Sequence, residues 1–109
     1  MGDAGEPSRG TTRAWFAWLN AYRQTLFNYH DLNRRSMDMW ERFAQRLRAP
    51  VDIVRSGELR WSVTPAAAEQ LVARANALQS WGYPTRIIDT ADVRALEPGL
   101  QTDRLTAAS

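Results

Sequence analysis

The chain contains no cysteine. That excludes a disulfide framework, a thiolate metal site and a thiol nucleophile. It has one histidine, His30, which leaves too few imidazoles for a zinc site. It has no lysine either: all 14 basic residues are arginine, set against 12 acids, for a net charge of +2. So balanced a chain carries no electrostatic footprint for nucleic acid, and no nucleic-acid partner is expected. No apolar run is long enough to span a bilayer, so no transmembrane segment is expected. The opening MGDAGEPSRG is polar and lacks the apolar centre of a secretory signal, which makes a cytoplasmic location the expectation. Nowhere in the 109 residues is there a G-x-G-x-x-G turn.

What is present reads as folded protein. A hydrophobic share of 44% with 24% charged residues is ordinary for a globular domain and argues against disorder throughout. Residues 1–10, with Gly2, Gly5, Pro7 and Gly10, read as a loop. Thr11 or Thr12 can cap a short helix running through Trp18. Residues 26–47 give the clearest helical pattern. Tyr29, Leu32, Ser36, Trp40, Phe43 and Leu47 recur at spacings of three and four, a stripe expected to face the core. Asp38 and Arg42 are spaced for an ion pair on its surface, and Pro50 ends it.

The period then changes. Residues 51–63 predict extended chain interrupted at Ser56-Gly57, with Leu59, Trp61 and Val63 as the inward side of a half-buried strand. Thr64-Pro65 is a helix start, Ala68, Leu71, Ala75 and Leu78 its apolar stripe, and Gly82 its stop. Tyr83 to Ile88 predicts a short strand. Asp89 or Thr90 caps a brief helix ending by Glu97-Pro98. The last nine residues, QTDRLTAAS, show no pattern and are expected to fray. Two long helices with so few strands suggest part of a larger α/β protein rather than a finished domain.

Four collinear segments carry a resemblance. DAGEPSRGTTRAWFAWLN (3–20), YHDLNRRSMDMWERFAQRL (29–47), VRSGELRWSVT (54–64) and IIDTADVRALEPGL (87–100) together resemble the D-amino-acid oxidase-like family of FAD-dependent oxidoreductases. That family includes glycine oxidase, sarcosine oxidase and D-amino-acid dehydrogenase. The resemblance covers nearly the whole chain and implies an internal slice of such an enzyme. Residues 1–50 would be part of a Rossmann-like FAD-binding domain after its second strand. Residues 51–109 would begin the substrate domain. The fold class implied is therefore α/β, in a helix-rich fragment. The cofactor implied is FAD in the complete protein, and the substrate a small amine or amino acid. The Gly-rich turn and first helix would lie outside this stretch.

The resemblance also assigns residues. Asp3 falls where the family has a carboxylate on the adenosine ribose; the alternative is an exposed acid. Thr11 and Thr12 occupy a Gly-flanked turn before a helix, suited to contact with FAD, to plain N-capping, or to both. Phe16, Ala17 and Trp18 match the stretch that passes the flavin, although the family favours smaller residues than Phe16 and Trp18 there. At least one of Trp15, Phe16 and Trp18 is expected to pack the domain instead. Arg9 and Arg13 can neutralise a pyrophosphate, but such residues are more often solvated. His30 is read as a packing or surface histidine rather than a general base, since no nucleophile accompanies it. No catalytic residue is assigned, because the flavin carries the chemistry in this family.

Two other readings remain open on sequence grounds. One is a non-enzymatic interaction module using the aromatic, Arg-rich N-terminal stretch on an acidic partner or single-stranded nucleic acid, a reading the balanced charge argues against. The other is one subunit of a split oxidase, with a second chain supplying the dinucleotide turn.

Overall fold

The structure, a computed structural model, describes residues 11–14 and 17–109, without the side chains of Thr12 and Arg13. The chain divides into two compact units, Met1–Val51 and Asp52–Ser109.

The first unit holds α1 (Thr11–Ala14) and α2 (Phe27–Arg46). The expected first helix is therefore shorter than its pattern suggested: Ala17 to Asn20 are not helical. The second helix matches its expectation to within a residue at each end. Leu26 stands at its N-cap without a side chain to offer, and Leu47 leaves the helix in extended conformation, three residues before Pro50. The residue preceding a proline avoids the helical region, so the end is set just ahead of it.

The stripe on α2 is a correction. Tyr29, Leu32, Ser36, Trp40, Phe43 and Leu47 share a face, as their spacing requires, but that face is exposed. The helix instead buries its flank, where His30 is buried and Asn33, Met37 and Ala44 are half-buried. The surface pair is also different. Arg35 Nε donates to Asp31 at 2.8 Å, whereas Asp38 and Arg42 form no pair among the described residues.

The second unit is built around two short strands, β1 (Trp61–Ser62) and β2 (Ala107–Ala108). They are antiparallel, with Trp61 opposite Ala108 and Ser62 opposite Ala107. Ile88 bridges to the other side of Ala108, its N–H donating to the Ala108 carbonyl at 3.0 Å. Beyond the strands, Arg60 and Ser109 exchange two backbone hydrogen bonds of 2.9 Å. So the last residues do not fray: they form the middle of the ladder, and Ala108 and Thr102 are buried.

Two helices cover this ladder. α3 (Pro65–Ser80) lies against β1 and β2, and α4 (Thr90–Leu96) lies against β2. α3 buries Leu71, Ala75 and Leu78, with Ala68 half-buried, as its stripe predicted. Its ends are chemically defined. Thr64 Oγ1 accepts from the Ala67 N–H at 3.3 Å, and Pro65 opens the first turn. At the far end Gly82 has φ +73°, Tyr83 N–H reaches the Leu78 carbonyl and Gly82 N–H the Gln79 carbonyl, both at 2.9 Å. That bond pair is a Schellman motif, which needs a left-handed residue at Gly82. α4 is capped by Asp89, whose carboxylate accepts from the Asp92 N–H at 2.8 Å. Val93, Ile88 and Ala108 form the core, with Leu59, Leu100 and Leu105 packed around it.

Two strand expectations shrink. Residues 51–60 have no regular structure, because Gly57 turns the chain at φ +81° and pairing starts only at Arg60. Of 83–88 only Ile88 pairs; the Thr85 N–H closes a tight turn onto the Tyr83 carbonyl at 2.8 Å across Pro84. The burial of β1 is also inverted. Ser62 faces inward while Trp61 and Val63 are exposed. Burial of Ser62 is affordable because its hydroxyl bonds Thr106 Oγ1 at 2.9 Å, and Thr106 in turn donates to the Thr64 carbonyl at 3.1 Å.

Candidate functional site

The sequence places its candidate residues in the first unit, between Asp3 and Trp18. Asp3 and Phe16 lie outside the described residues, as do Arg9 and Trp15 and the side chains of Thr12 and Arg13. Thr11 opens α1 and is exposed. Ala17, Trp18 and Leu19 follow as exposed, non-helical chain.

This stretch is held at its far end. Asn20 Oδ1 accepts from the Tyr22 N–H at 2.7 Å, an Asx turn that bends the chain toward α2. Ala21 is fully buried, and its carbonyl accepts a 3.0 Å hydrogen bond from His30 Nδ1. A carbonyl only accepts, so Nδ1 carries the proton. His30 is itself 1% exposed and its N–H bonds the Leu26 carbonyl at 3.0 Å. The histidine is therefore a clasp between the loop and the first turn of α2. This agrees with its reading as a packing residue, and the spacing of nine residues between the partners is a signal that no local pattern carries.

In the second unit an open groove of about 440 Å³ runs between α3 and β2, lined by Ala68, Glu69, Val72, Ala73, Asn76 and neighbouring residues of β2. It offers one carboxylate (Glu69), one amide (Asn76) and one hydroxyl (Thr106) on alkyl walls, a set without a second titratable group for acid–base chemistry. Among the described residues no three His, Asp or Glu side chains converge as metal ligands. None of the described helices is long and apolar enough to cross a membrane.

The family model of the FAD dependent oxidoreductases, DAO, matches residues 2–109. The chain belongs to this family. The cofactor of the family is FAD, its members are oxidoreductases with a Rossmann-like FAD-binding fold, and they act on small molecules. No curated protein and no solved structure matches the chain.

Of the residues the sequence singles out, Thr11, Ala17 and Trp18 lie among the described residues, and all three are exposed. A Gly-rich pyrophosphate cradle is not among the 109 residues.

Proposed function

We propose that this chain supplies the flavin-facing segment of an FAD-dependent oxidoreductase of the D-amino-acid oxidase-like type, which oxidises a C–N bond of an amino acid or secondary amine. The observation that carries the reading is the family match over residues 2–109, joined to the exposure of Thr11 and Ala17–Leu19. Residues 1–50 belong, on this reading, to the FAD-binding domain and residues 51–109 to the opening of the substrate domain.

Within it Asp3 accepts hydrogen bonds from the adenosine ribose hydroxyls. Thr11 and Thr12 donate to polar edges of the nucleotide, and Phe16, Ala17 and Trp18 line the ring and keep water from it. FAD, when bound, supplies the two-electron acceptor that lets a substrate amine lose a hydride from carbon and a proton from nitrogen to become an imine. The chain's own part is to bind and orient, and no residue in it needs to act as a nucleophile. Alone, without a Gly-rich turn, it holds FAD weakly and is inactive.

Titration of the chain with FAD, read by flavin fluorescence and by flavin retained after desalting, tests the assignment. We expect saturable binding lost on desalting and weakened several-fold in Thr11→Ala and Trp18→Ala. Tight stoichiometric flavin, or binding indifferent to both substitutions, overturns it. The substrate class is tested on a chain extended to include the dinucleotide turn: anaerobic bleaching of flavin by amino acids or secondary amines supports it, and bleaching by alcohols alone refutes it.

A further inference from the structure

His30 is the one fully buried side chain of α2, and its ring bonds to the chain just after Ala17–Leu19. That segment runs without regular structure, with Trp18 and Leu19 45 and 37% exposed. Asn20 follows and starts the Asx turn onto the Tyr22 N–H, and Ala21 inside the turn is fully buried. The turn is local: its own bond bends the chain but ties it to nothing outside itself. The bond from His30 Nδ1 to the Ala21 carbonyl spans nine residues and joins the turn to α2. His30 is fixed in its helix, where its own N–H reaches the Leu26 carbonyl. Trp18 precedes Ala21 by three residues, so its Cα lies within about 10 Å of this anchor. An apolar side chain would fill the same place without burying a polar group. What the imidazole adds is a directed donor, which fixes the orientation of the Ala21 carbonyl.

We propose that His30 is a positioning residue for FAD: through the Ala21 carbonyl it orders Ala17–Leu19 before the cofactor arrives, and so raises the affinity of that segment for it. The inference rests on the flavin-facing reading of the segment. His30 itself is 1% exposed and offers a ligand no surface, so it acts only through the loop. An unanchored segment loses its conformational freedom at the moment of binding, and that loss is subtracted from the affinity. An anchored one has lost it already, on folding. The donor must also stand at one place. Nδ1 branches directly from Cγ of the ring, and the amide nitrogen of an asparagine branches from Cγ in the same way. The amide nitrogen of a glutamine lies one bond further out. Leucine has the branched shape of asparagine and no donor.

His30→Asn and His30→Leu therefore separate the bond from the bulk. Both leave similar space, and only the first keeps a donor at the right place. Titration of the full chain with FAD, read by flavin fluorescence, should show affinity roughly fivefold weaker in His30→Leu and His30→Gln and close to the parent in His30→Asn. Without flavin, the indole proton signal of Trp18, assigned through Trp18→Phe, should move toward its unfolded position in His30→Leu and stay in place in His30→Asn. The signals of α3, in the other unit, should not move in any variant. A measurement on the unaltered chain needs no substitution to fold. Coupling is reciprocal, so saturating FAD should slow solvent exchange of the His30 Nδ1 proton by the same factor of roughly five. Equal affinity in His30→Leu and His30→Asn, or Nδ1 exchange unchanged by FAD, overturns the proposal alone if Trp18→Ala still weakens binding. FAD binding that is indifferent to Trp18→Ala, or absent from the parent chain, overturns the flavin reading and the proposal with it.

Discussion

The two long helices invert the usual relation between sequence strength and burial. α2 has the more regular apolar stripe, yet exposes it; α3 is rich in alanine and weakly patterned, yet buries Leu71, Ala75 and Leu78 against β1 and β2. The difference lies in what each helix meets. Small side chains let α3 approach a ladder whose facing residues are Ser62 and Ala107, so a modest stripe suffices to fill the space. α2 is tied to the loop before it through one flank, where His30 Nδ1 donates to the Ala21 carbonyl. Periodicity reports which residues share a face. It does not report whether anything covers the face.

The contrast can be broken most sharply by truncating each stripe. Leu78→Ala opens a cavity at a fully buried position and should cost the second unit about 3 kcal/mol, read by urea unfolding with amide exchange resolved by residue. His30→Ala removes the donor to the Ala21 carbonyl and should cost the first unit about 1–2 kcal/mol, with exchange quickening at Ala21 and the start of α2 and no change in α3. Thr64→Ala removes the cap of α3 and should cost about 1 kcal/mol in the same unfolding measurement. Leu32→Ala, on the exposed stripe, should change the unfolding free energy by under about 0.5 kcal/mol. If Leu32→Ala proves as costly as Leu78→Ala, the stripe of α2 is covered and the comparison fails.

Local chemistry was legible in the sequence. Thr64-Pro65, Gly82 and Asp89 announced the ends of α3 and the start of α4 because a cap is a short-range hydrogen bond between near neighbours. The strand Ala107–Ala108 was not legible, because its partners on β1 lie more than forty positions away and its side chains are too small to give a hydrophobic signal. The inward turn of Ser62 was hidden for the same reason: its partner Thr106 is 44 residues distant. The family was legible because four segments kept their order, although none is specific alone. Of the residues assigned to the flavin, Thr11, Ala17 and Trp18 are exposed in the described chain, while Asp3 and Phe16 fall outside it.

The reciprocal hydrogen bonds between Arg60 and Ser109 have a kinetic consequence. They close the second unit into a ring whose seam needs nearly all of its residues. The loop entropy of that closure must be met before any strand contact returns it, so the sheet is the slow step of folding and α2, whose bonds span one turn, is the fast one. During synthesis α2 can therefore form first and wait, and the sheet can assemble only when residue 108 has arrived. Removal of the last three residues should leave α2 intact and unmake the whole second unit in one step.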